Sequence, residues 1–449
     1  MKSKVELLAP AGNFKNLKYA IAYGADAVYA GQPRYSLRVR NNDFKVDNLV
    51  NGIDYAHQHG VNFFVASNIL PHNSKLKTYI DDMAPIIEMK PDALIMADPG
   101  LIMMVKDKWP DQVIHLSVQA NAMNYASVKF WQNAGISRVI LSRELSLEEV
   151  KEIRQECPDI ELEVFVHGAL CIAYSGRCLL SGYANHRDPN QGSCTNSCRW
   201  DYKAHEANET AEGDYKASAT PEVDFYKPAL GEGKPTDQVY LLEEGSRPGE
   251  MMPAFEDEHG TYIMNSKDLR AVQHVKTLID MGIDSLKIEG RTKSHYYAAR
   301  TTQVYRQAID DCLADKPFNM DLMDDLEKLS NRGYTEGFYR RHVHDEYQNY
   351  EQGSSVAQKQ QFVGEVTKFD ESTQTMTVEA KNKFAEGDRI ELMTPQGNHK
   401  IVIGKMFSEK GEPKPVASGS GHIVQIPTDF KELSTKALLL KEIDKPIHT

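Results

Sequence analysis

Eight short runs of β-favouring apolar residues recur along the chain, and a segment with helical spacing follows each of them. The runs are residues 5–9, 27–30, 61–66, 93–96, 113–117, 138–141, 162–166 and 285–288. Strands that are separated by crossover helices must run parallel. Eight such units predict a closed (β/α)8 TIM-like barrel, and an open doubly wound sheet is the alternative.

The alternation of strands and helices is interrupted after the seventh run. Residues 168–260 hold four cysteines and a polar stretch that is too long for an ordinary loop between a strand and a helix. Residues 201–260 alone carry fifteen acidic and five basic side chains. The sequence therefore predicts a barrel domain over residues 1–347 with an inserted cysteine-bearing subdomain at 168–260.

Beyond residue 350 the apolar residues alternate in twos. The alternating segments are 362–367, 375–380, 388–393 and 400–404, and turn residues separate them. This pattern predicts a small C-terminal antiparallel β-barrel domain over 362–449, after a polar linker at 348–361. Small barrels often present loops to nucleic acid, so RNA docking is one hypothesis for this domain, and packing or dimerisation is the other.

The net charge of −12 argues against a protein that coats nucleic acid through bulk electrostatic attraction. Outside the acidic stretch the charge is close to balanced, so a basic face elsewhere remains open. We find no signal-peptide core and no apolar run that approaches a membrane span of ~18 residues. We therefore expect a cytoplasmic protein with no membrane partner.

Four of the six cysteines are concentrated in one segment, with the spacing C-x6-C-x15-C-x3-C. They are Cys171, Cys178, Cys194 and Cys198. In a reducing cytosol such a group favours metal binding over disulfides. Zinc, an iron–sulfur cluster and buried free thiols all stay open, although the six-residue gap departs from the usual zinc spacing. Cys157 and Cys312 lie in helical runs and are expected to be core residues.

Polar residues follow the ends of the predicted strands. Functional groups of a parallel barrel lie on the loops at the carboxyl ends of its strands. The candidates at these ends are Arg38, Arg40, Gln119, Asn121, Arg143, His167, Lys287, Glu289 and Arg291. His167 can be a ligand, a proton donor or a hydrogen-bonding rim residue. We predict that the functional site lies at this mouth of the barrel.

The cysteine segment resembles the core of the collagenase-like peptidase family U32. The resemblance is carried by residues 163–182 and 192–199, and it extends to LAPAG at 8–12, YAG at 29–31, RVRN at 38–41, LSVQAN at 116–121 and LKIEGR at 286–291. Relatives in this family bind a [4Fe–4S] cluster through four cysteines. The resemblance therefore implies that Cys171, Cys178, Cys194 and Cys198 are the cluster ligands in this chain.

The resemblance is strongest to a branch of the family that modifies tRNA, and it implies a function. The expected activity is prephenate-dependent hydroxylation of the wobble uridine to 5-hydroxyuridine. The expected partners are the tRNA anticodon loop, prephenate and the iron–sulfur assembly machinery.

The rim residues take hypothetical roles in this reaction. Prephenate is a dicarboxylate that Arg38, Arg40 and Arg291 can hold, while Lys287, His167 and Glu289 manage protons. Gln119, Asn121 and Arg143 complete the substrate contacts. A turned-out base can stack on Tyr35 or Tyr174.

Two other functions stay open. One is a collagenase-like peptidase, although the chain has neither an H-E-x-x-H helix nor a G-x-S-x-G elbow. The other is a non-catalytic iron–sulfur scaffold.

Overall fold

The computed structural model describes residues 5–36, 44, 46–169, 202–209, 215–217, 240–244, 251–257, 260–263, 268–331, 333–340, 356–357, 360–419, 421–443 and 447–448. The chain divides into two compact units. The first comprises Met1–Gly168, Ala271–Leu329 and Ala357–Pro446, and the second comprises Ala169–Arg270, Ser330–Val356 and Ile447–Thr449.

The helices begin and end close to capping and turn signals. They are α1 (Phe14–Ala22), α2 (Val46–Gln58), α3 (Asn73–Glu88), α4 (Pro99–Lys108), α5 (Tyr125–Asn133), α6 (Leu147–Glu156), α7 (Val275–Asp280), α8 (His295–Leu313) and α9 (Asp321–Glu327). Ser146 and Glu149 form a reciprocal capping box at the start of α6. Within the residues that the model describes, none of these helices has the length and apolar character that a membrane crossing requires.

Most strands are short. They are β1 (Glu6–Pro10), β2 (Ala27–Gly31), β3 (Asn62–Ser67), β4 (Ala93–Met96), β5 (Ile114–Leu116), β6 (Arg138–Ile140), β7 (Glu161–Ala169), β8 (Tyr202–Glu209), β9 (Tyr215–Ala217), β10 (Tyr240–Glu244), β11 (Met251–Asp257), β12 (Gly260–Ile263), β13 (Asp268–Arg270), β14 (Ser285–Ile288), β15 (Tyr334–Thr335), β16 (Val356–Ala357), β17 (Gln360–Asp370), β18 (Thr375–Ala380), β19 (Phe384–Ala385), β20 (Arg389–Thr394), β21 (Gly397–Val402), β22 (Val416–Ala417), β23 (Ile423–Pro427), β24 (Leu438–Glu442) and β25 (Ile447–His448).

Strands β1 to β7 and β14 form a closed parallel barrel. Each of β1 to β6 pairs with the next strand, and β14 closes the ring by pairing with both β7 and β1. The register sets Leu8 beside Lys287 and Ser285 beside Glu163. Most strand residues are buried, because helices cover the outer face and side chains fill the interior. The predicted barrel is confirmed, and all eight predicted runs overlap its strands.

The second unit contains a separate antiparallel sheet. Its strands lie in the order β12-β11-β10-β8-β9. In the same unit, β13 pairs in parallel with β15. The predicted domain limits at 1–347, 168–260, 348–361 and 362–449 stay predictions, since residues 341–355 and much of the insertion lie outside the described residues.

The C-terminal residues form a six-stranded antiparallel sheet in the order β21-β20-β24-β17-β18-β23. One face of β18 is buried and the other is partly exposed, as alternation in twos predicts. Its core includes Val366, Val378, Leu392 and Leu439, all of which are nearly inaccessible to solvent. The predicted small antiparallel domain is therefore confirmed.

This sheet packs against helices α1 and α8 within the first unit. The fully buried guanidinium of Arg300 in α8 donates to Glu391 of β20 over 2.5 Å. The hydroxyl of Tyr23 donates to the carbonyl oxygens of Met393 and Lys436, at 3.0 and 2.9 Å. These contacts fix the C-terminal sheet on the side of the barrel where β1 and β14 meet.

Candidate active site

The segment that follows β14 packs tightly against the ends of neighbouring strands. A Cβ atom on Gly12 would lie 1.8 Å from the carbonyl oxygen of Arg291. Gly290 has a φ of +146°, and a Cβ there would lie 2.5 Å from the ring of Tyr297. Only glycine allows these approaches. The backbone of residues 289–291 is therefore held in one place at the mouth of the barrel.

Glu289 is an acidic side chain at this mouth. Tyr29 donates to the carbonyl oxygen of Ile288 at 3.0 Å, and the same hydroxyl lies 3.4 Å from a carboxylate oxygen of Glu289. A guanidinium nitrogen of Arg143 lies 3.8 Å from that carboxylate. The guanidinium carbon of Arg143 also lies 4.0 Å from the ring centroid of Phe165. Arg143 and Glu289 are thus brought together, as predicted for mouth residues.

His167 lies beside Glu289 across the pairing of β7 and β14. The backbone nitrogen of Glu289 donates to the carbonyl oxygen of His167 over 2.8 Å. The imidazole is buried, with Nδ1 3.4 Å from the hydroxyl of Tyr305 and the ring 5.8 Å from that of Tyr297. The two tyrosines of α8 therefore fix the imidazole, which is the geometry of an oriented rim histidine.

Lys287 points into the interior of the barrel. Its ammonium donates to Glu163 over 2.7 Å and lies 4.4 Å from the ring centroid of Tyr29. Burial lowers the pKa of Lys287 below its usual value, and the charge of Glu163 opposes that shift. Lys287, which was predicted to manage protons, therefore lies beneath the mouth among buried residues.

The ion pair of Lys287 belongs to a longer interior network. Arg138 contacts Glu163 at 3.2 Å and also contacts Glu6 and Glu161, each at 2.8 Å or less. Burial alone would lower the pKa of Arg138, but the carboxylates of Glu163 and Glu6 outweigh burial and raise it. The paired charges compensate one another, so the network is compatible with a barrel interior.

Amide side chains form the opposite part of the rim. Gln119 lies in a single 3-10 turn after β5, and Asn121 ends this turn with a left-handed φ of 51°. The amide of Asn121 donates to the carbonyl of Gln119 at 3.3 Å. Gln119 is partly exposed, and its side-chain amide has no hydrogen-bond partner among the residues that the model describes. Gln119 is therefore available to a ligand.

Arg291 reaches from the end of β14 towards the loop after β2. Its Nη1 atom donates to Ser36 over 2.7 Å, and the guanidinium carbon lies 5.8 Å from the ring centroid of Tyr29. The neighbouring candidates Arg38 and Arg40 lie outside the described residues. The structure therefore places one of the three predicted carboxylate-binding arginines.

The four clustered cysteines and Tyr174 also lie outside the described residues. Within the described ranges, no group of three or more His, Cys, Asp or Glu side chains is arranged to hold a metal ion. Cys157 and Cys312 are buried, as expected for core residues. Tyr35 is buried as well, with its ring against Tyr79 at 4.8 Å and its hydroxyl donating to Asp82, so the hypothesis that Tyr35 offers a stacking surface is wrong.

Aromatic residues that were not predicted from the sequence hold the mouth together. Tyr29, Phe165, Tyr297 and Tyr305 each contact at least one predicted site residue. Tyr29 lies in the YAG motif and next to a strand end, which is the signal that could have identified it. The α8 tyrosines carry no such signal, because they approach His167 only through the fold.

The fold and this mouth define a (β/α)8-barrel protein with a polar site at the carboxyl ends of its strands. A family model described as Peptidase family U32 matches residues 12–349, and one described as Peptidase family U32 C-terminal domain matches residues 358–439. The chain therefore belongs to peptidase family U32, as the resemblance implied.

Two curated relatives are similar to this chain over nearly its full length. The tRNA hydroxylation protein P of Escherichia coli (strain K12) is 61% identical, over 98% of this chain and 97% of its own length. The protein of the same name from Haemophilus influenzae is also 61% identical, over 98% of this chain and 96% of its own. The solved structure of the U32 peptidase Mk0906 is 16% identical and covers 44% of this chain and 86% of its own, with a TM-score of 0.34.

Proposed function

We propose that this chain is a cytoplasmic tRNA-modifying enzyme that hydroxylates the wobble uridine to 5-hydroxyuridine. The observation that carries the proposal is the 61% identity to two tRNA hydroxylation proteins over 98% of the chain. The names of those relatives support tRNA hydroxylation, while the wobble position and the product are our more specific proposal. The uracil of an anticodon loop is single-stranded, so it can be turned out into the mouth without opening a duplex.

Replacing the C5 hydrogen of uracil by a hydroxyl is a two-electron oxidation that needs an oxygen donor and an electron acceptor. Protein side chains supply neither, so the chain needs a cofactor or a cosubstrate. We propose a [4Fe–4S] cluster on Cys171, Cys178, Cys194 and Cys198, loaded by the cellular assembly machinery, with prephenate as the cosubstrate. Four thiols within 28 residues support the cluster.

The chain's own residues bind and orient the reactants in this proposal. Arg291, with Arg38 and Arg40, holds the carboxylates of prephenate. Gln119 and Asn121 offer donors and acceptors to the polar edge of the uracil, and Arg143 pairs with Glu289 beside it. The contacts of Arg143 with Glu289 and Phe165, and the available amide of Gln119, support these roles.

Glu289, His167 and Lys287 handle the protons in this proposal. Glu289 accepts a proton at its carboxylate, and the imidazole of His167, oriented by Tyr305, is the partner acid or base. The buried ammonium of Lys287 holds positive charge beneath them. The backbone hydrogen bond from Glu289 to His167, which makes the two residues neighbours at the strand ends, supports this assignment.

Nucleoside analysis of tRNA tests the proposal. A strain without the gene should lose 5-hydroxyuridine and its derivatives, and the wild-type gene should restore them. Glu289→Gln, Arg143→Ala and each clustered cysteine changed to Ser should fail to restore them. Cys157→Ser is the matched thiol control and should restore them, because Cys157 is a buried helix-end residue away from the mouth.

The cofactor and the cosubstrate have separate readouts. Anaerobically purified wild-type protein should contain iron and sulfide, and the Cys171→Ser protein should lose both. A host strain that cannot make prephenate should lack the modified nucleoside even with the wild-type gene. Unchanged nucleosides in the gene-deletion strain, together with peptide hydrolysis by the pure protein, would instead support the peptidase.

A further inference from the structure

Two lysines, Lys18 and Lys436, lie where α1 meets the C-terminal sheet. The ammonium of Lys18 lies 4.4 Å from the ring centroid of Phe14 and 5.5 Å from that of Tyr55. The ammonium of Lys436 lies 5.8 Å from the ring centroid of Tyr19. Among the described residues, no carboxylate oxygen lies within 4 Å of either ammonium. Aromatic faces hold both cations without neutralising them.

More lysines surround this pair, and they share few carboxylates. Lys15 contacts Glu365 at 2.6 Å, and Lys381 contacts both Glu365, at 3.3 Å, and Glu379. We call Lys15, Lys18, Lys381 and Lys436 the lysine cluster. Among the residues that the structure describes, Glu365 and Glu379 are the two carboxylates that ion-pair with it, so the cluster keeps an excess of positive charge in a chain with a net charge of −12.

The excess charge has a cost within the folded protein. Partial burial lowers the pKa of Lys436, the charges of Lys18 and Lys15 lower it further, and Glu365 opposes them. Mutual repulsion of this kind is relieved when an anion binds. A polyanion with closely spaced charges fits several lysines better than a single small anion does.

The lysine cluster borders the mouth of the barrel. Helix α1 starts at Phe14, just after the carboxyl end of β1. The side-chain amide of Asn16 donates to the carbonyl oxygen of Lys293 over 2.8 Å, and Gly12 lies against the backbone of Arg291. The first turn of α1 therefore adjoins the loop that carries Glu289 and Arg291.

We propose that the lysine cluster, with the partly exposed rings of Phe14 and Tyr55, binds the phosphate backbone of the tRNA whose anticodon base enters the mouth. This inference rests on the proposed function and adds the surface that docks the substrate. It joins a barrel helix and the C-terminal domain in one binding face. Lysine–phosphate contacts carry no sequence information, so the surface positions the RNA while the mouth selects the base.

The test is tRNA binding by the full-length protein. Fluorescence anisotropy gives the Kd of a labelled tRNA transcript with uridine at the wobble position, over a series of salt concentrations. Lys18→Glu and Lys436→Glu should each weaken binding by at least about fivefold. Each should also reduce the slope of log K against log salt by about one. Lys18→Arg and Lys436→Arg should retain wild-type affinity.

Lys400→Glu is the matched control, because Lys400 is an exposed lysine of the edge strand β21, outside the lysine cluster. Wild-type affinity and slope in Lys18→Glu and Lys436→Glu would overturn the inference, and so would an equal loss in Lys400→Glu. Thermal midpoints verify that the variants fold.

If the wild-type gene restores hydroxylation while these variants bind normally, the docking surface is refuted and the proposed function stands. If the wild-type gene restores nothing, the proposed function itself fails.

Discussion

Glu391 should be the most sensitive single carboxylate in the contact between the C-terminal sheet and α8. It accepts hydrogen bonds from Arg300 at 2.5 Å, Gln360 at 2.7 Å and Lys328 at 2.9 Å. The substitution Glu391→Gln keeps the shape and removes the charge. Arg300 is fully buried, and its other acidic neighbour, Asp325, lies 3.9 Å away. The variant therefore leaves a buried guanidinium poorly compensated.

The magnitude follows from the pKa of Glu391. Burial would raise this pKa, but Arg300 and Lys328 outweigh burial and lower it from 4.5 to about 2. A shift of this size corresponds to about 3 kcal/mol of stabilisation at neutral pH. Breaking a buried ion pair from one side typically costs about 3–5 kcal/mol, which agrees with that value.

Amide hydrogen exchange measures this effect locally. At pH 7, protected amides of β20 and α8 should exchange about 100-fold faster in Glu391→Gln than in wild type. Glu156→Gln, which removes the exposed ion pair with Lys129, is the control and should leave exchange unchanged. Combining Arg300→Met with Glu391→Leu should restore much of the protection, because no buried charge is then left alone.

The stabilisation that Glu391 contributes depends on pH in a definite direction. The pKa of Glu391 is depressed in the folded protein, so its stabilisation is complete above pH 4.5 and is lost as the pH falls through about 2. The difference between wild type and Glu391→Gln should shrink over that window. Equal exchange rates in the two proteins at pH 7 would refute the reasoning.

Three further predictions concern the barrel. Gly12→Ala should lower the thermal midpoint and abolish tRNA hydroxylation, because its Cβ would meet the Arg291 carbonyl, whereas Gly404→Ala meets no atom within 4 Å and should be neutral. Glu163→Gln should destabilise the barrel by about 3 kcal/mol in urea titrations, since it removes the charged partner of the buried Lys287 ammonium. Burial is the main cause that holds the pKa of His115 well below 6.5 in the folded protein, and the charges of Arg138 and Lys287 add to it. The unfolded chain therefore binds a proton at His115 more tightly than the folded protein does. Wild-type stability should therefore fall as pH drops below 6.5, and His115→Gln should lack that part of the fall.

The fold was largely predictable because apolar periodicity reports local structure directly. Strands β4 and β14 were predicted with their observed limits. Strands β23 and β24 were missed. The continuous apolar run at 437–440 does not alternate, because β24 lies in the middle of the sheet between β17 and β20.

The positions of the candidate residues could be predicted from the sequence, but only some of their contacts could. Strand ends locate the mouth, and Arg143, His167, Glu289 and Arg291 do lie there. Lys287 pairs instead with a carboxylate that is 124 residues away, and only the closure of the barrel reveals that partner. Glu163, which lies between the apolar residues Leu162 and Val164 of β7, is the signal of such a partner that the sequence offers.

The mass of the anticodon-loop fragment of tRNA tests the central claim most directly. The fragment would be isolated from a strain without this gene, before and after the wild-type gene is restored. The account predicts that restoration adds the mass of one oxygen atom, or of a group built on it, and that fragmentation places it on the wobble uridine. Identical masses before and after restoration, in cells that contain the full-length protein, would contradict the account.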